Sequence, residues 1–323
     1  MRKILMASIV CTLIGCLDRT PNVQNNYSSS SADTTPPYSL EPSSSDNPTT
    51  DSNNILVSSS AFSQSSQALF SSSSSMQSHS QVLRILPFGD SQTAGFTDAP
   101  TWSIPFTFGY RGPLYTLLKD NGYNFNFVGN SFEPLSLPFG EALGAPADSN
   151  ILGPNLTQLG QDSHSGYGGA TTSQLLYGGV VQGSVDTFPS AAKIITDTKP
   201  DIVLLMVGTN GIEDGISTID SLVYMIVSTQ PSVYLIVAQI TPRATFKSLE
   251  LTYNDLIKST VLKYASKGFR VYTVDQYANF ITDANDPTSI DLTLLCPDGV
   301  HLRPEANRRV AKTWFNAINS LGL

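Results

Sequence analysis

The sequence predicts a doubly wound α/β domain with five parallel strands, and three observations carry that prediction. Short apolar runs rich in β-branched and aromatic residues recur through the C-terminal three-quarters of the chain. Stretches with helical spacing separate them, as crossover helices would. Polar residues able to do chemistry cluster just beyond the ends of those runs, where open parallel sheets bind their ligands.

The strand candidates in order are 82–88, 124–128, 201–207, 233–240 and 270–274. Their near-continuous hydrophobicity fits strands covered by helices on both faces. The intervening helix candidates are 111–121, 185–198, 217–229 and 249–267, and a last one runs over 304–320. In that last stretch Val310, Trp314 and Ile318 share one face, which places Trp314 in the core. Alternation of this kind over 82–323 predicts one flavodoxin-like domain with no internal repeat and no second core.

The residues before it read differently. Arg2 and Lys3 precede an apolar run over 4–14, the two regions of a secretory signal, and the run is shorter than the roughly 20 residues of a membrane span. It ends in Leu13-Ile14-Gly15-Cys16, which resembles a bacterial lipobox. The resemblance implies a signal peptide over 1–15 and acylation of Cys16, with the protein exported and lipid-anchored in the bacterial cell envelope. Residues 16–81 are dominated by Ser, Thr, Asn, Asp, Gln and Pro and cannot bury enough apolar surface to fold. A flexible tether of roughly 65 residues spans about 45 Å. With Cys11 in the signal and Cys16 acylated, only Cys296 remains, so the domain is expected to fold without a disulfide.

Charge excludes one class of partner. The net charge is −8, only 14% of residues are charged, and no basic cluster exists, so nucleic acid has no electrostatic footprint. No paired cysteines, HExxH or phosphate loop is present, and no cofactor or metal is called for.

Three segments carry candidate chemistry. Gly89-Asp90-Ser91-Gln92-Thr93-Ala94-Gly95 follows the first strand, Gly208-Thr209-Asn210-Gly211 the third, and Asp298-Gly299-Val300-His301 lies beyond the fifth. A nucleophile, an amide donor and an Asp/His pair are the parts needed for acyl transfer. The two glycines permit a tight turn that would expose Ser91 at a helix start, where backbone N–H groups favour a developing oxyanion. Asp298 and His301 are spaced so that the carboxylate can hold one imidazole nitrogen while the other faces Ser91. His164 is the rival base and Asp275 the rival orienting carboxylate. Cys296 reads as a small buried hydrophobe.

GDSQTAG, HSGY (164–167), GTN and DGVH are similar to the four blocks of SGNH (GDSL-like) hydrolases, in that family's order. LRILPFGDS, PDIVLLMVGTN and DGVHLRPEANRRVA further resemble acetylxylan esterases of carbohydrate esterase family three, over essentially all of 82–323. The resemblance implies Ser91 as nucleophile, Asp298 and His301 as its partners, and an oxyanion hole from Ser91, Gly166 and Asn210. It also implies an acetylated polysaccharide, xylan first, as the substrate. Other glycan, peptidoglycan or short-chain lipid esters are the alternative, and a catalytically weak glycan-binding lipoprotein is the alternative of another class. Trp102, His164 and Tyr167 are candidate substrate contacts, with Tyr110 a further aromatic of the same kind. The family's Asp after the Asn is replaced by Gly211, which predicts altered loop support. The stretch 130–162 is longer than the family's.

Overall fold

The computed structural model describes residues 81–98, 108–131, 153–180 and 186–323. The signal segment, the tether, Cys16, Trp102 and most of 130–162 lie outside the described residues. Contacts divide the chain after Phe70, and every described residue belongs to the unit Ser71–Leu323.

Five strands form the main path of one sheet: β1 (Leu83–Gly89), β2 (Phe125–Phe127), β6 (Ile202–Met206), β7 (Tyr234–Gln239) and β8 (Val271–Asp275). Their order is β2-β1-β6-β7-β8 and every pairing is parallel. This is the flavodoxin-like order, with its switch point at β1. A two-residue strand, β3 (Ser165–Gly166), extends the ladder of β1 at its carboxyl end, pairing Gly89 with Gly166.

Alternation along each strand makes two cores. Leu86 and Phe88 of β1 and Val203 and Leu205 of β6 face one layer, with α3 (Thr172–Tyr177), α4 (Ala191–Thr198), α5 (Ile212–Thr229) and α6 (Ser248–Ala265). Leu83 and Ile85, with Ile202 and Leu204, face α2 (Arg111–Asp120) and α7 (Pro304–Ser320). All five residues of β6 are buried, as a central strand requires. Trp314 is fully buried, its ring 6.0 Å from that of Tyr110.

Two helix starts differ from the sequence expectation. The stretch 185–198 is helical only from Ala191, because Pro189 biases Phe188 to extended backbone, and Thr187–Phe188 (β5) pairs antiparallel with Gly179–Val180 (β4). Helix α5 begins at Ile212, not 217, with Glu213 and Asp214 in its first turn where the helix dipole favours negative charge. Helix α3 was absent from the sequence reading, although Thr171 and Gln174 form a capping box at its start.

Candidate active site

The site is built at the carboxyl edge of the sheet. Beyond β1 the chain turns at once into a one-turn helix, α1 (Ser91–Ala94), capped by the Asp90 carboxylate, which accepts the Gln92 N–H at 3.1 Å. Gly89 must lack a side chain, since a Cβ there would lie 2.0 Å from the Met206 carbonyl oxygen. Gly95 closes the helix in the left-handed region, at φ 95°. Asp90 is buried, and burial lifts its carboxyl to about 6 against the opposing Gln92 N–H and the charge of His301. Its stabilising contribution is therefore fully present below the ordinary carboxylate range and lost as pH rises through about 6.

The second arm comes from the far end of the chain. Leu295 and Leu302 bridge antiparallel, and the Cys296 N–H donates to the His301 carbonyl at 2.7 Å. That closed loop folds Asp298 onto His301. His301 Nε2 lies 2.8 Å from Ser91 Oγ, and His301 Nδ1 lies 2.6 Å from Asp298 Oδ2. Asp298 Oδ1 accepts the Val300 and His301 N–H groups at 2.9 and 3.0 Å. Burial raises the Asp298 carboxyl, but the His301 ring and these two N–H groups together outweigh it and hold the carboxyl below its usual range. The Phe96 ring packs 6.0 Å from the imidazole.

Oxyanion donors are available. Ser91 N–H opens α1 and has no acceptor among the described residues. Asn210, beyond β6, spends one amide hydrogen on the Ala170 carbonyl at 3.2 Å and keeps the other.

Several sequence expectations need correction. Ser91 is 4% exposed, not an exposed hydroxyl. The Gly166 N–H is not free for an oxyanion, because it donates to His164 Nδ1 at 3.0 Å. Gly166 is a packing glycine, since a Cβ there would lie 2.5 Å from Ala94 N. The neighbouring Gly169 N–H has no acceptor among the described residues, and the next peptide holds Asn210. His164 and Tyr167 are both 2% exposed and do not present a surface to substrate. His164 braces the β3 turn, while Tyr167 stacks on Phe188 and donates to Asn130. Tyr110 is likewise core.

The rival residues have other positions. Asp275 Oδ1 accepts the Ala278 N–H at 2.9 Å at the start of the short helix Tyr277–Phe280, whereas His301 Nδ1 is held by Asp298. Cys296 is buried, and burial with the nearby Asp298 charge pushes its thiol up to about 12, so it stays protonated. Gly211 adopts φ 72° at the α5 N-cap, a left-handed conformation that explains glycine there. Support for the neighbouring loop comes from Asp214, which accepts the Ser173 N–H at 2.8 Å.

One functional side chain escaped the sequence reading. Gln92, 3% exposed, accepts from Thr241 Oγ1 at 2.9 Å and donates to the Val300 carbonyl at 3.3 Å. It ties the serine turn to the histidine loop. Its position beside Ser91 was the only signal available, because both partners are remote in sequence.

The chain is similar to several known proteins. A family model described as GDSL-like lipase/acylhydrolase matches residues 85–314. A multidomain esterase of Ruminococcus flavefaciens is 27% identical over 258 residues, which are 75% of this chain and 29% of that protein, so the chain spans under a third of its relative. A family 3 carbohydrate esterase of Clostridium thermocellum is 24% identical with a TM-score of 0.51, covering 75% of this chain and 98% of that one. A family 3 carbohydrate esterase of Talaromyces cellulolyticus is 18% identical at a TM-score of 0.54, covering 74% and 98%. The two structures are likenesses of fold. With the family model spanning most of the chain, this protein belongs to the GDSL-like lipase/acylhydrolase family.

Proposed function

We propose that the protein removes acetyl groups from an acetylated polysaccharide, xylan first, through an acetyl-serine intermediate. The observation that carries the mechanism is the unbroken chain from Ser91 Oγ through His301 to Asp298, at 2.8 and 2.6 Å. Ser91 Oγ attacks the acetyl carbonyl while its proton passes to His301 Nε2. Ser91 N–H, the spare Asn210 amide hydrogen and the Gly169 N–H hold the oxyanion. The intermediate collapses, the C–O bond to the sugar breaks, and His301 returns the proton to the departing sugar oxygen. Water, deprotonated by His301, then releases acetate and restores Ser91. Asp298 stays ionised and stabilises the imidazolium.

Two facts support the acyl and substrate classes. A serine this enclosed suits a small acyl group, and the solved structures of similar fold include carbohydrate esterases. The test is a hydrolysis panel of acetylated xylan, acetylated chitooligosaccharide and p-nitrophenyl esters of rising chain length. Acetate should be cleaved fastest, since each methylene the site does not accommodate costs about 1–3 kcal/mol in the transition state. Octanoate cleaved faster than acetate would point to a lipase-like site instead. In the same panel Ser91→Ala should fall to background while its thermal transition stays close to wild type, because the one hydrogen bond lost contributes about 1 kcal/mol. Equal turnover by mutant and wild type would favour a glycan-binding protein.

Gln92 acts through its neighbours and is a positioning residue. Gln92→Leu is expected to lower kcat about tenfold with little change in KM, as a small misplacement of the base does. Gln92→Glu should not restore the rate, because a carboxylate facing the Val300 carbonyl repels it. An unchanged kcat in Gln92→Leu would show that the brace is not needed.

A further inference from the structure

The loop 240–247 after β7 has no ladder of its own, and Pro242 lacks an N–H, so other elements must fix its course. Helix α6 does so at two points. Asn254 Oδ1 accepts the Ile240 N–H at 2.8 Å, and Asn254 Nδ2 donates to the Ile240 carbonyl at 3.3 Å. Four residues earlier on the same helix face, Glu250 Oε1 accepts from Arg243 Nε at 2.7 Å. Both helix residues are buried, Glu250 completely.

The loop held in this way touches both arms of the site. Thr241 Oγ1 donates at 2.9 Å to Gln92, the residue after the nucleophile. The Ala244 N–H donates to the Gly299 carbonyl at 2.8 Å, inside the segment that carries Asp298 and His301. Gly299 has φ 71°, and a Cβ there would lie 2.8 Å from the Ala244 Cβ, so the two backbones approach closely. Arg243 is thus the covalent neighbour of the residue that holds the histidine loop. An ion pair with its carboxylate buried adds little stability, because desolvation offsets most of the attraction. Burial does raise the Glu250 carboxyl, against the Arg243 hydrogen bond and the charges of Arg243 and Lys247. What the pair does supply is a fixed position for Arg243.

Resting on the esterase reading, we infer that Arg243 and Glu250 are positioning residues for hydrolysis, their pair setting the loop that keeps His301 within reach of Ser91 Oγ. In this role neither side chain touches the reacting atoms. The route runs from Glu250 to Arg243, along the backbone to Ala244, and across to Gly299, two residues before His301.

Arg243→Met alone would strand a buried carboxylate, so the test combines Arg243→Met with Glu250→Met in the full chain. Both charges then leave together, and the thermal midpoint should stay close to wild type. The kcat for p-nitrophenyl acetate should nevertheless fall about tenfold or more with KM little changed, since misplacing the base by ~1 Å costs about a hundredfold. Arg243→Lys keeps the cation but not the planar guanidinium and should lose about threefold. It carries the same test if the double variant does not fold. Amide hydrogen exchange at Ala244 needs no turnover, and it should quicken in the double variant while the amides of β6 stay protected. Wild-type kcat in the double variant, or in Arg243→Lys where only that variant folds, would overturn the inference, and so would unchanged Ala244 exchange. Wild-type turnover no faster than that of Ser91→Ala would instead remove the esterase reading, and Ala244 exchange would still decide whether the pair fixes the loop.

Discussion

Asp298→Asn is expected to lower kcat by about 10⁴-fold, the loss seen for the same change in the chymotrypsin-type triad. The reason lies in the geometry at His301. Asp298 Oδ2 accepts from Nδ1 at 2.6 Å and so leaves Nε2 bare to take the Ser91 proton at 2.8 Å. An amide at that position can donate to Nδ1 instead, which stabilises the wrong tautomer and no longer stabilises the imidazolium. The carboxyl of Asp298 is held below its usual range, so its support persists through the neutral region and is lost only as pH falls through that lowered value. Removing it should also carry the acid limb of the kcat/KM profile to lower pH, because the carboxylate no longer favours the protonated ring. Asp275→Asn should do neither, since Asp275 holds the Ala278 N–H while His301 Nδ1 is held by Asp298. Steady-state kinetics of the two variants across pH decide the matter. A large loss in Asp275→Asn with Asp298→Asn nearly silent would mean the wrong carboxylate was chosen.

Arg111→Met is expected to destabilise the domain by about 3–5 kcal/mol. Arg111 is 1% exposed, and its three donor nitrogens each hold a carbonyl. Nε reaches Thr93 O at 3.0 Å, Nη2 reaches Ala94 O at 3.0 Å, and Nη1 reaches Asp162 O at 2.7 Å. The first two are the last carbonyls of α1, the helix that carries Ser91, where a cation is favoured. Burial lowers the guanidinium to about 10, so it remains charged at neutral pH. Methionine has similar bulk but leaves the two buried α1 carbonyls and the part-buried Asp162 carbonyl unpaired. Arg111→Lys keeps the charge but not the planar fork and should recover only part of the loss. Thermal unfolding should show a midpoint lowered by roughly 10 °C in Arg111→Met. A midpoint within a degree or two of wild type would show that water replaces the guanidinium without penalty.

The parts of the fold that were legible in sequence share a physical reason. The five main strands are apolar runs ended by Gly, Pro or Asp, and each lies within one residue of its expected limits at both ends. Helix α7 matches fully, because Pro304 marks its first turn and its apolar stripe is continuous. What was illegible depends on short segments or on meetings across the chain. The strand β3 has two residues and no period to detect. The Gly166 N–H looked available because nothing in the motif says that the ring of His164, two positions earlier, turns back to accept it. The Gln92 brace joins residues separated by 149 and 208 positions, and no local pattern encodes either contact.

The same long separation has a consequence for how the site comes together. Ser91 and His301 are 210 positions apart, and they meet across a sheet whose strands come from both halves of the domain. A chain interrupted anywhere before the histidine loop carries a nucleophile with nothing to activate it. On the proposed mechanism, hydrolysis therefore requires both ends of the domain to be in place, and the rate in a refolding experiment counts the molecules in which they have met.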